Sequence, residues 1–236
     1  MRPALTALIV CLPLAAAAAP DTQQCSAQSG DRAPMVVELY TSEGCSSCPP
    51  ADRWVSGLKG RSDVVALAFH VDYWDRLGWK DRYASPAWTQ RQYAMGARSG
   101  AKFVYTPQVL LNGRDYRRWP GLPGSREPAD VEVRLVREGE DYVARVARRP
   151  GAPALLAGYW AVTQDDLVSE VRTGENAGAT LRHDAVVREL REVAVVGSET
   201  LRFTPQAPAG TAARRVQFVV TDSRTGVPLQ AVGLGC

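Results

Sequence analysis

The chain has 236 residues and a formal net charge of +3 at neutral pH. That length supplies enough apolar material for one large domain or two small ones. This mild charge argues neither for nor against an anionic partner. No basic stripe is interleaved with aromatic residues, which excludes a nucleic-acid-binding protein. Beyond the first 20 residues no apolar run is long enough to cross a bilayer, so we expect no membrane span.

Residues 1–20 have the pattern of a secretory signal peptide. Arg2 supplies a positive charge, an apolar stretch follows it, and Ala15 to Ala19 form a tail of small residues. We expect cleavage between residues 17 and 21. The mature protein is therefore predicted to be periplasmic or secreted.

Four cysteines remain after this leader, an even number that suits an oxidising compartment. Cys45 and Cys48 form a CxxC pair, which leaves Cys25 and Cys236 at the two ends of the mature chain. The economical interpretation is a structural disulfide that joins Cys25 to Cys236. The alternative is two separate free thiols.

A strand, a sharp turn and a helix start are predicted for residues 35–52. A run rich in β-branched and aromatic residues is broken by Gly44, and a helical pattern follows the cysteines as far as Gly60. The N-terminus of a helix carries unpaired amides and a partial positive charge, which favour a thiolate. We therefore expect Cys45 to be the attacking thiol, and Cys48 to resolve the mixed disulfide.

The CxxC pair has other interpretations. It is also compatible with a static disulfide or with half of a zinc site. Zinc normally requires a second Cys or His pair at similar spacing, and the sequence contains none, so we predict no metal there.

A second strand is predicted for residues 64–71, which are continuously apolar until their end. Strand, helix and strand then form a right-handed βαβ unit whose two strands end on the same edge of the sheet. Tyr73 and Trp74 should therefore emerge near the cysteine loop, together with His70 and Asp72. For His70 the competing interpretation is a packed residue at the end of the strand.

Glu38 interrupts a strand that is otherwise apolar. Because a buried carboxylate is costly without a partner or a task, we expect Glu38 to accept the proton of Cys48 through a water molecule. The alternative is a glutamate at the strand edge that faces water.

Residues 73–104 are rich in aromatic residues, and Ser85 followed by Pro86 predicts a helix from Pro86 to about Arg98. We expect this segment to cover the cysteine edge, with its aromatic residues packing rather than lining a substrate groove. The next strand opens with Pro107, a position that accommodates a cis peptide, and its Asn-Gly end predicts a hairpin.

This order of elements resembles the thioredoxin superfamily. Two segments, residues 38–52 (ELYTSEGCSSCPPAD) and residues 70–74 (HVDYW), are similar to a bacterial family of exported thioredoxin-like proteins of uncharacterised function. By this resemblance Cys45 is the nucleophile, Cys48 the resolving cysteine and Pro107 the cis-proline that faces them.

The resemblance also makes Glu38 the buried acid. Since Tyr73 and Trp74 are expected at the edge of the sheet where ligands bind, we expect substrate contacts there and at Thr106 beside Pro107.

The chain departs from the pattern in three places. One is the dipeptide Ser46-Ser47 between the cysteines, which is not that of the standard reductases or oxidases. The other two are single residues. Gly44 replaces the usual aromatic residue before the first cysteine, and Glu38 lies one residue further from that cysteine than the acid commonly does.

Residues 120–128 have the composition of a linker. Beyond them apolar residues alternate with polar ones between turn signals, which predicts short antiparallel strands. The predicted fold is therefore an α/β thioredoxin-like domain over residues 34–120, with a central mixed sheet flanked by helices and a helical insert. A small antiparallel β-sandwich over residues 129–236 follows it.

We find no catalytic constellation in residues 129–236. We expect His183, beside Asp184, to lie at the surface or in a turn. Residues 174–178 form a loop with too weak a pattern for a phosphate site, and we expect this segment to bind a partner or to stabilise the first domain.

The sequence thus predicts an exported thiol-disulfide oxidoreductase that acts on protein thiols and disulfides without an organic cofactor. Its expected partners are protein substrates and a redox partner protein. Two alternatives stay open. One is a module that holds a soft metal such as Cu(I) between Cys45 and Cys48, and the other is a scaffold protein with a static disulfide.

Overall fold

The computed structural model describes residues 25–124, 126–207 and 213–236. The predicted signal peptide lies outside these ranges. The strands are β1 (Ser26–Gln28), β2 (Met35–Thr41), β3 (Val64–His70), β4 (Gln108–Leu111), β5 (Arg114–Asp115), β6 (Val131–Glu138), β7 (Asp141–Arg148), β8 (Leu156–Gln164), β9 (Leu167–Glu170), β10 (Thr180–His183), β11 (Val186–Val195), β12 (Glu199–Phe203), β13 (Arg214–Asp222) and β14 (Pro228–Leu234). The helices are α1 (Pro49–Ser56) and α2 (Pro86–Arg98), and residues Asp75–Leu77 form a 3-10 turn.

The largest element is a mixed sheet of eight strands in the order β14-β13-β8-β11-β3-β2-β4-β5. Strands β2 and β3 run parallel, as the sequence predicts. Strand β11 also runs parallel to β3, through the pair of Val186 with Ala68. The Ala68 amide donates to the Ala185 carbonyl at 2.8 Å. This contact joins strands from the two halves of the chain in one sheet.

The predicted fold class is wrong. The described residues are mostly β-structure with two α-helices, and they do not form a thioredoxin-like α/β domain followed by a separate sandwich. Strands β8, β11, β13 and β14 extend the sheet that contains β2 and β3. Local alternation predicts where strands lie, but it does not determine which strands pair across more than 100 residues. Residues 34–120 and 129–236 stay a predicted division of the chain.

A second sheet, of four antiparallel strands in the order β1-β6-β7-β12, packs on the β8-β13-β14 end of the large sheet. Its core centres on Trp160, which stacks on Phe203 at 5.1 Å between ring centroids and contacts Phe218 at 4.4 Å. This arrangement buries the inward faces of both sheets. No helix in the described ranges is long and apolar enough to cross a membrane.

The two α-helices cover opposite faces of the large sheet. Helix α1 packs on Val37 and Leu39 through Val55, whereas α2 packs on Tyr40 through Trp88. Because side chains alternate along a strand, the even-numbered residues of β2 face α2 and the odd-numbered ones face α1. This alternation decides which groups of β2 reach the cysteines at the start of α1.

The predicted hairpin is present between β4 and β5. Asn112 and Gly113 form its turn with φ of 50° and 77°, the left-handed pair that a two-residue connection requires. The Asn112 side chain accepts a 2.8 Å hydrogen bond from the Val36 amide, which fixes the hairpin against β2. The peptide between Thr106 and Pro107 is cis.

Candidate functional site

A disulfide joins Cys45 to Cys48, with their Cα atoms 5.4 Å apart. Cys48 is the N-cap of α1, so the pair lies at the start of the helix as predicted. Both cysteines are fully buried, while the two serines between them are exposed.

The start of α1 offers few free amides because Pro49 and Pro50 occupy its first turn. The Ala51 amide is bonded to the Cys48 carbonyl. The Ser47 hydroxyl lies 3.4 Å from the Cys45 sulfur. Stabilisation of a Cys45 thiolate therefore relies on the helix dipole and this hydroxyl more than on several backbone amides.

Trp74 connects the cysteine loop to the predicted substrate residues. Its indole nitrogen donates to the Thr106 hydroxyl at 2.7 Å, and Thr106 immediately precedes Pro107. A Cβ atom at Gly44 would lie 3.0 Å from the Trp74 Cβ. Trp74 therefore occupies the space that a side chain at residue 44 would need, which accounts for the missing aromatic residue before Cys45.

Tyr73 lies beside Trp74, with the two ring centroids 6.4 Å apart. Its hydroxyl is buried, and burial raises its pKa. In the described part of the chain this hydroxyl has no hydrogen-bond partner.

Glu38 is buried, but it lies on the α2 face of β2. Its carboxylate accepts hydrogen bonds from Arg91 at 2.7 Å and from the Tyr40 hydroxyl at 2.8 Å. Burial opposes the charge on Arg91, but Glu38 together with Tyr40 and Tyr159 outweighs burial and raises the pKa of Arg91 above its usual range. The structure thus gives Glu38 a partner, and it does not bring Glu38 to the α1 face where Cys48 begins the helix.

Glu38 faces α2 rather than the cysteines because of its position in β2. A shift of one residue along a strand moves a side chain to the opposite face of the sheet. Glu38 lies between Val37 and Leu39, which face α1, and it therefore faces α2 as Tyr40 does.

A loop from the C-terminal half of the chain covers the cysteines. We call residues 171–179, between β9 and β10, the cover loop. The Asn176 side chain donates to the carbonyls of Glu43 and Cys45 at 2.8 and 3.0 Å. The Glu175 carboxylate accepts from the Ser46 amide at 3.1 Å and from its hydroxyl at 2.7 Å, and these bonds lower the pKa of Glu175.

Five ionisable side chains form a buried cluster next to the cysteine loop. They come from the segments that follow β2 and β3, from the first turn of α1, and from the ends of β3 and β10. We call them the histidine–carboxylate cluster, and its members are Glu43, Asp52, His70, Asp81 and His183. Three carboxylates and two imidazoles thus share a region away from water.

His70 and Asp81 form the closest pair in this cluster. Nδ1 of His70 lies 2.6 Å from Oδ2 of Asp81, and both side chains are fully buried. Burial would raise the pKa of Asp81, but His70 and the backbone amides of Glu43 and Tyr83 together outweigh burial and lower that pKa to about 2. The same Asp81 oxygen accepts a hydrogen bond from the Glu43 amide at 2.9 Å.

His183 lies between the other two carboxylates. Its Nε2 is 3.4 Å from Oε1 of Glu43, and its Nδ1 is 3.9 Å from Oδ1 of Asp52. Neither contact has hydrogen-bond geometry. Burial lowers the pKa of His183, but the two carboxylates outweigh it and raise that pKa to about 9.

Sequence analysis missed most of this cluster. His183 was expected at the surface or in a turn, but it is 2% exposed, so that interpretation is wrong. His183 follows Asp52 by 131 positions in the chain, and no local spacing relates them. His70 ends strand β3, which was predicted, whereas His183 ends strand β10, which was not, so no local pattern indicated that the two histidines meet.

Cys25 and Cys236 are also joined by a disulfide, with Cα atoms 6.3 Å apart and 211 positions between them. This bond lies at the four-stranded sheet, where Cys25 packs against the sandwich core. It ties the first described residue to the last one, away from the cysteine loop.

A family model described as a protein of unknown function (DUF1223) matches residues 36–221. The chain belongs to the DUF1223 family. The match to the DUF1223 model includes the CxxC pair, the cover loop and all five members of the histidine–carboxylate cluster.

Two solved structures are similar to this DUF1223 protein. One is a crystal structure of a protein from Agrobacterium tumefaciens, 26% identical, with a TM-score of 0.64 over 87% of this chain and 96% of that one. The other is HBP35 of Porphyromonas gingivalis, 15% identical, with a TM-score of 0.60 over 87% of this chain and 76% of that one. The second likeness concerns the fold alone. A search of curated proteins found no match.

Proposed function

We propose that this DUF1223 protein is an exported thiol-disulfide oxidoreductase that acts on protein thiols and disulfides through Cys45 and Cys48. The observation that carries the proposal is the CxxC disulfide at the N-cap of α1. Ligands of open α/β sheets bind at the edge where parallel strands end, and Cys45 follows β2 at that edge.

A local likeness supports the same proposal. A strand, a CxxC pair at a helix start and a Thr-Pro segment connected to it through Trp74 resemble the redox site of the thioredoxin superfamily. The likeness concerns this site and not the whole fold. We expect substrate contacts at Tyr73, Trp74 and Thr106, since these residues lie beside the cysteine loop and next to Pro107.

The proposed reaction is an exchange of one disulfide for another. In the reducing direction the Cys45 thiolate attacks one sulfur of a substrate disulfide, and the other substrate sulfur leaves as a thiolate. The Cys48 thiolate then attacks the Cys45 sulfur, which forms the Cys45–Cys48 disulfide and releases the second substrate thiolate. Two electrons pass to the substrate, and the dithiol of a redox partner protein supplies two more, which reduces the Cys45–Cys48 disulfide again as the partner's thiols become a disulfide.

The same steps run in reverse when the substrate is a pair of thiols. The exchange requires only sulfur atoms of the two proteins, so no organic cofactor takes part. Glu38 has no step in this proposal, because its carboxylate is bound to Arg91 and Tyr40 on the α2 face.

Export is part of the proposal. It rests on the signal-peptide pattern of residues 1–20 and on the disulfide between Cys25 and Cys236. Disulfides of this kind persist in oxidising compartments and are rare in the cytosol. We therefore assign the protein to the periplasm or the exterior of the cell.

Trapping of mixed disulfides tests the proposal. The Cys48→Ser variant lacks the resolving thiol, so after reduction it should hold exported proteins as adducts that dithiothreitol releases. The matched control is Cys45→Ser, which keeps one thiol of the pair but lacks the attacking one, and it should trap far fewer adducts. Equal trapping by the two variants, or none by either, would contradict the proposal and favour a metal-binding or scaffold role.

A further inference from the structure

Three members of the histidine–carboxylate cluster have the donor set of a metal site. One ligand atom from each of Asp52, His70 and His183 lies within 4.8 Å of the other two. All three side chains are buried, at 7%, 0% and 2% exposure. They come from α1, the end of β3 and the end of β10, so an ion there would tie together three elements that are far apart in sequence.

The side-chain atoms of these residues that lack a hydrogen bond indicate which atoms would bind the ion. Asp81 is bonded to Nδ1 of His70, which leaves Nε2 of His70 free, and that buried atom has no hydrogen-bond partner in the described ranges. Nε2 of His183 faces Glu43, while its Nδ1 faces Asp52. Both nitrogens of His183 are likewise buried, and no described residue gives either a hydrogen bond.

A carboxylate lies beside the other ring nitrogen of each histidine. A histidine that binds a metal commonly holds a carboxylate on that nitrogen, which fixes its orientation. Asp81 has this position for His70 through a 2.6 Å contact, and the Glu43 carboxylate lies 3.4 Å from Nε2 of His183 without a hydrogen bond. For the third ligand, Oδ2 of Asp52 accepts a 3.0 Å hydrogen bond from Thr41, which leaves Oδ1 for an ion.

We propose that Asp52, His70 and His183 bind a divalent transition metal of the zinc type, through Oδ1, Nε2 and Nδ1. Imidazole nitrogen with one carboxylate suits zinc and its first-row neighbours, whereas calcium and magnesium prefer a shell of oxygen atoms. Three buried carboxylates in the cluster supply negative charge that a divalent cation offsets.

The ion draws the ligands closer together. Tetrahedral zinc with ligand distances of about 2.0–2.1 Å separates its ligand atoms by about 3.4 Å, which is less than the present limit of 4.8 Å. Glu43 also has a buried oxygen, Oε1, without a hydrogen bond in the described ranges, next to His183.

The proposed ligands do not include either cysteine of the CxxC pair. One of them, Asp52, lies one helical turn after Cys48. The disulfide form of the protein is therefore the form to test, since thiolates would otherwise compete for the metal.

Titration of the oxidised, untagged full chain with Zn²⁺ and Co²⁺ tests the proposal. The chain has two histidines, and both lie in the site, so an added histidine tag would obscure the result. Calorimetry should give one ion per chain, and Co²⁺ should give a visible spectrum with no thiolate-to-metal band. A metal that binds only the folded state should also raise Tm.

Variants locate the ion. Asp52→Asn and His183→Gln should each weaken Zn²⁺ binding at least tenfold, whereas Asp184→Asn should leave it unchanged, because the Asp184 carboxylate binds Lys59 instead. The double variant Cys45→Ser with Cys48→Ser should bind as the parent does. Absence of binding by the folded parent, or unchanged binding by both ligand variants, would overturn the proposal. If a ligand variant fails to fold, the parent's stoichiometry and Co²⁺ spectrum still decide it, and none of these results depends on disulfide exchange.

Discussion

Asn176 donates a 3.0 Å hydrogen bond to the carbonyl of Cys45, although 131 positions separate the two residues. A second bond from the same nitrogen, of 2.8 Å, reaches the carbonyl of Glu43. The cysteine loop is thus covered by a segment from the distant half of the chain, and Cys45 is fully buried. We therefore expect that a reductant reaches the disulfide only when the cover loop opens.

Replacement of Asn176 should ease that opening. The Asn176→Ala variant loses two hydrogen bonds to the cysteine loop, and a net loss of about 1 kcal/mol corresponds to a roughly fivefold faster reduction of the Cys45–Cys48 disulfide. The measurement is the initial rate of reduction by a phosphine at fixed pH. The control is Arg182→Ala. Arg182 is an exposed residue of β10, the strand that follows the cover loop, and its replacement should leave the rate unchanged. An unaltered rate in Asn176→Ala would mean that the loop does not limit access.

The hydrogen bonds between Ser46 and the Glu175 carboxylate should depend on pH. Hydrogen bonds from Ser46 lower the pKa of Glu175 below its usual value of 4.5, so they favour the ionised carboxylate. These bonds are therefore present above the usual pKa and are lost as pH falls through the lower, folded-state value. Above pH 5 the Glu175→Gln variant should be reduced faster than the parent.

The ratio of the two rates should approach one as the parent's Glu175 becomes protonated. Taking the ratio removes the pH dependence of the reductant itself, and circular dichroism at each pH checks that both proteins stay folded. A ratio that does not change with pH would contradict the role assigned to the Glu175 charge.

Glu38 should matter for stability rather than for disulfide exchange. Removal of one partner from a buried ion pair typically costs about 3–5 kcal/mol, so Glu38→Gln should lower the free energy of unfolding by about 3 kcal/mol. Urea unfolding measures this change. The matched control is Glu192→Gln, the other carboxylate near Arg91, which is exposed and 3.7 Å away, and it should cost less than about 1 kcal/mol. A slowed exchange at unchanged stability would instead return Glu38 to the role of proton acceptor.

The disulfide between Cys25 and Cys236 should stabilise the fold without affecting the site. Its loop spans 211 positions, and removal of a native disulfide typically costs about 2–5 kcal/mol. The double variant Cys25→Ser with Cys236→Ser should therefore unfold at lower urea concentration. Its rate of exchange at Cys45 should match that of the parent. Equal stability of variant and parent would show that the bond does not constrain the unfolded chain.

Local elements of this fold are predictable where side chains define them. Helix α2 runs from Pro86 to Arg98 as predicted, because Ser85 caps it and accepts a hydrogen bond from the Ala87 amide. The turn at Asn112 and Gly113 follows from two residues that tolerate a positive φ. Such signals lie within a few residues of the structure that they determine.

The joining of the strands was not predictable in this way. The single parallel pair of Val186 with Ala68 decides that β8, β11, β13 and β14 extend the sheet of β2 and β3. Nothing in the alternation of either segment distinguishes this pairing from two separate sheets. The prediction of a thioredoxin-like domain followed by a sandwich failed at this contact.

The residues of the candidate site also fall into a predictable and an unpredictable group. The CxxC pair and the Thr106–Pro107 segment were identifiable because short sequence motifs indicate their chemistry. The cover loop and His183 reach the cysteine loop only after β11 has paired with β3, so no local pattern indicates them. The face of Glu38 was a different case, since counting residues from Cys45 would have assigned it to the α2 side.

The most direct test of the central claim is the reduction potential of the Cys45–Cys48 disulfide, measured by equilibration with glutathione. Alkylation of the free thiols followed by mass spectrometry separates this pair from Cys25 and Cys236. Exchange proteins have potentials between about −120 and −270 mV, and we expect the pair to fall in that range. A value below about −300 mV would identify a structural disulfide and contradict the proposed function.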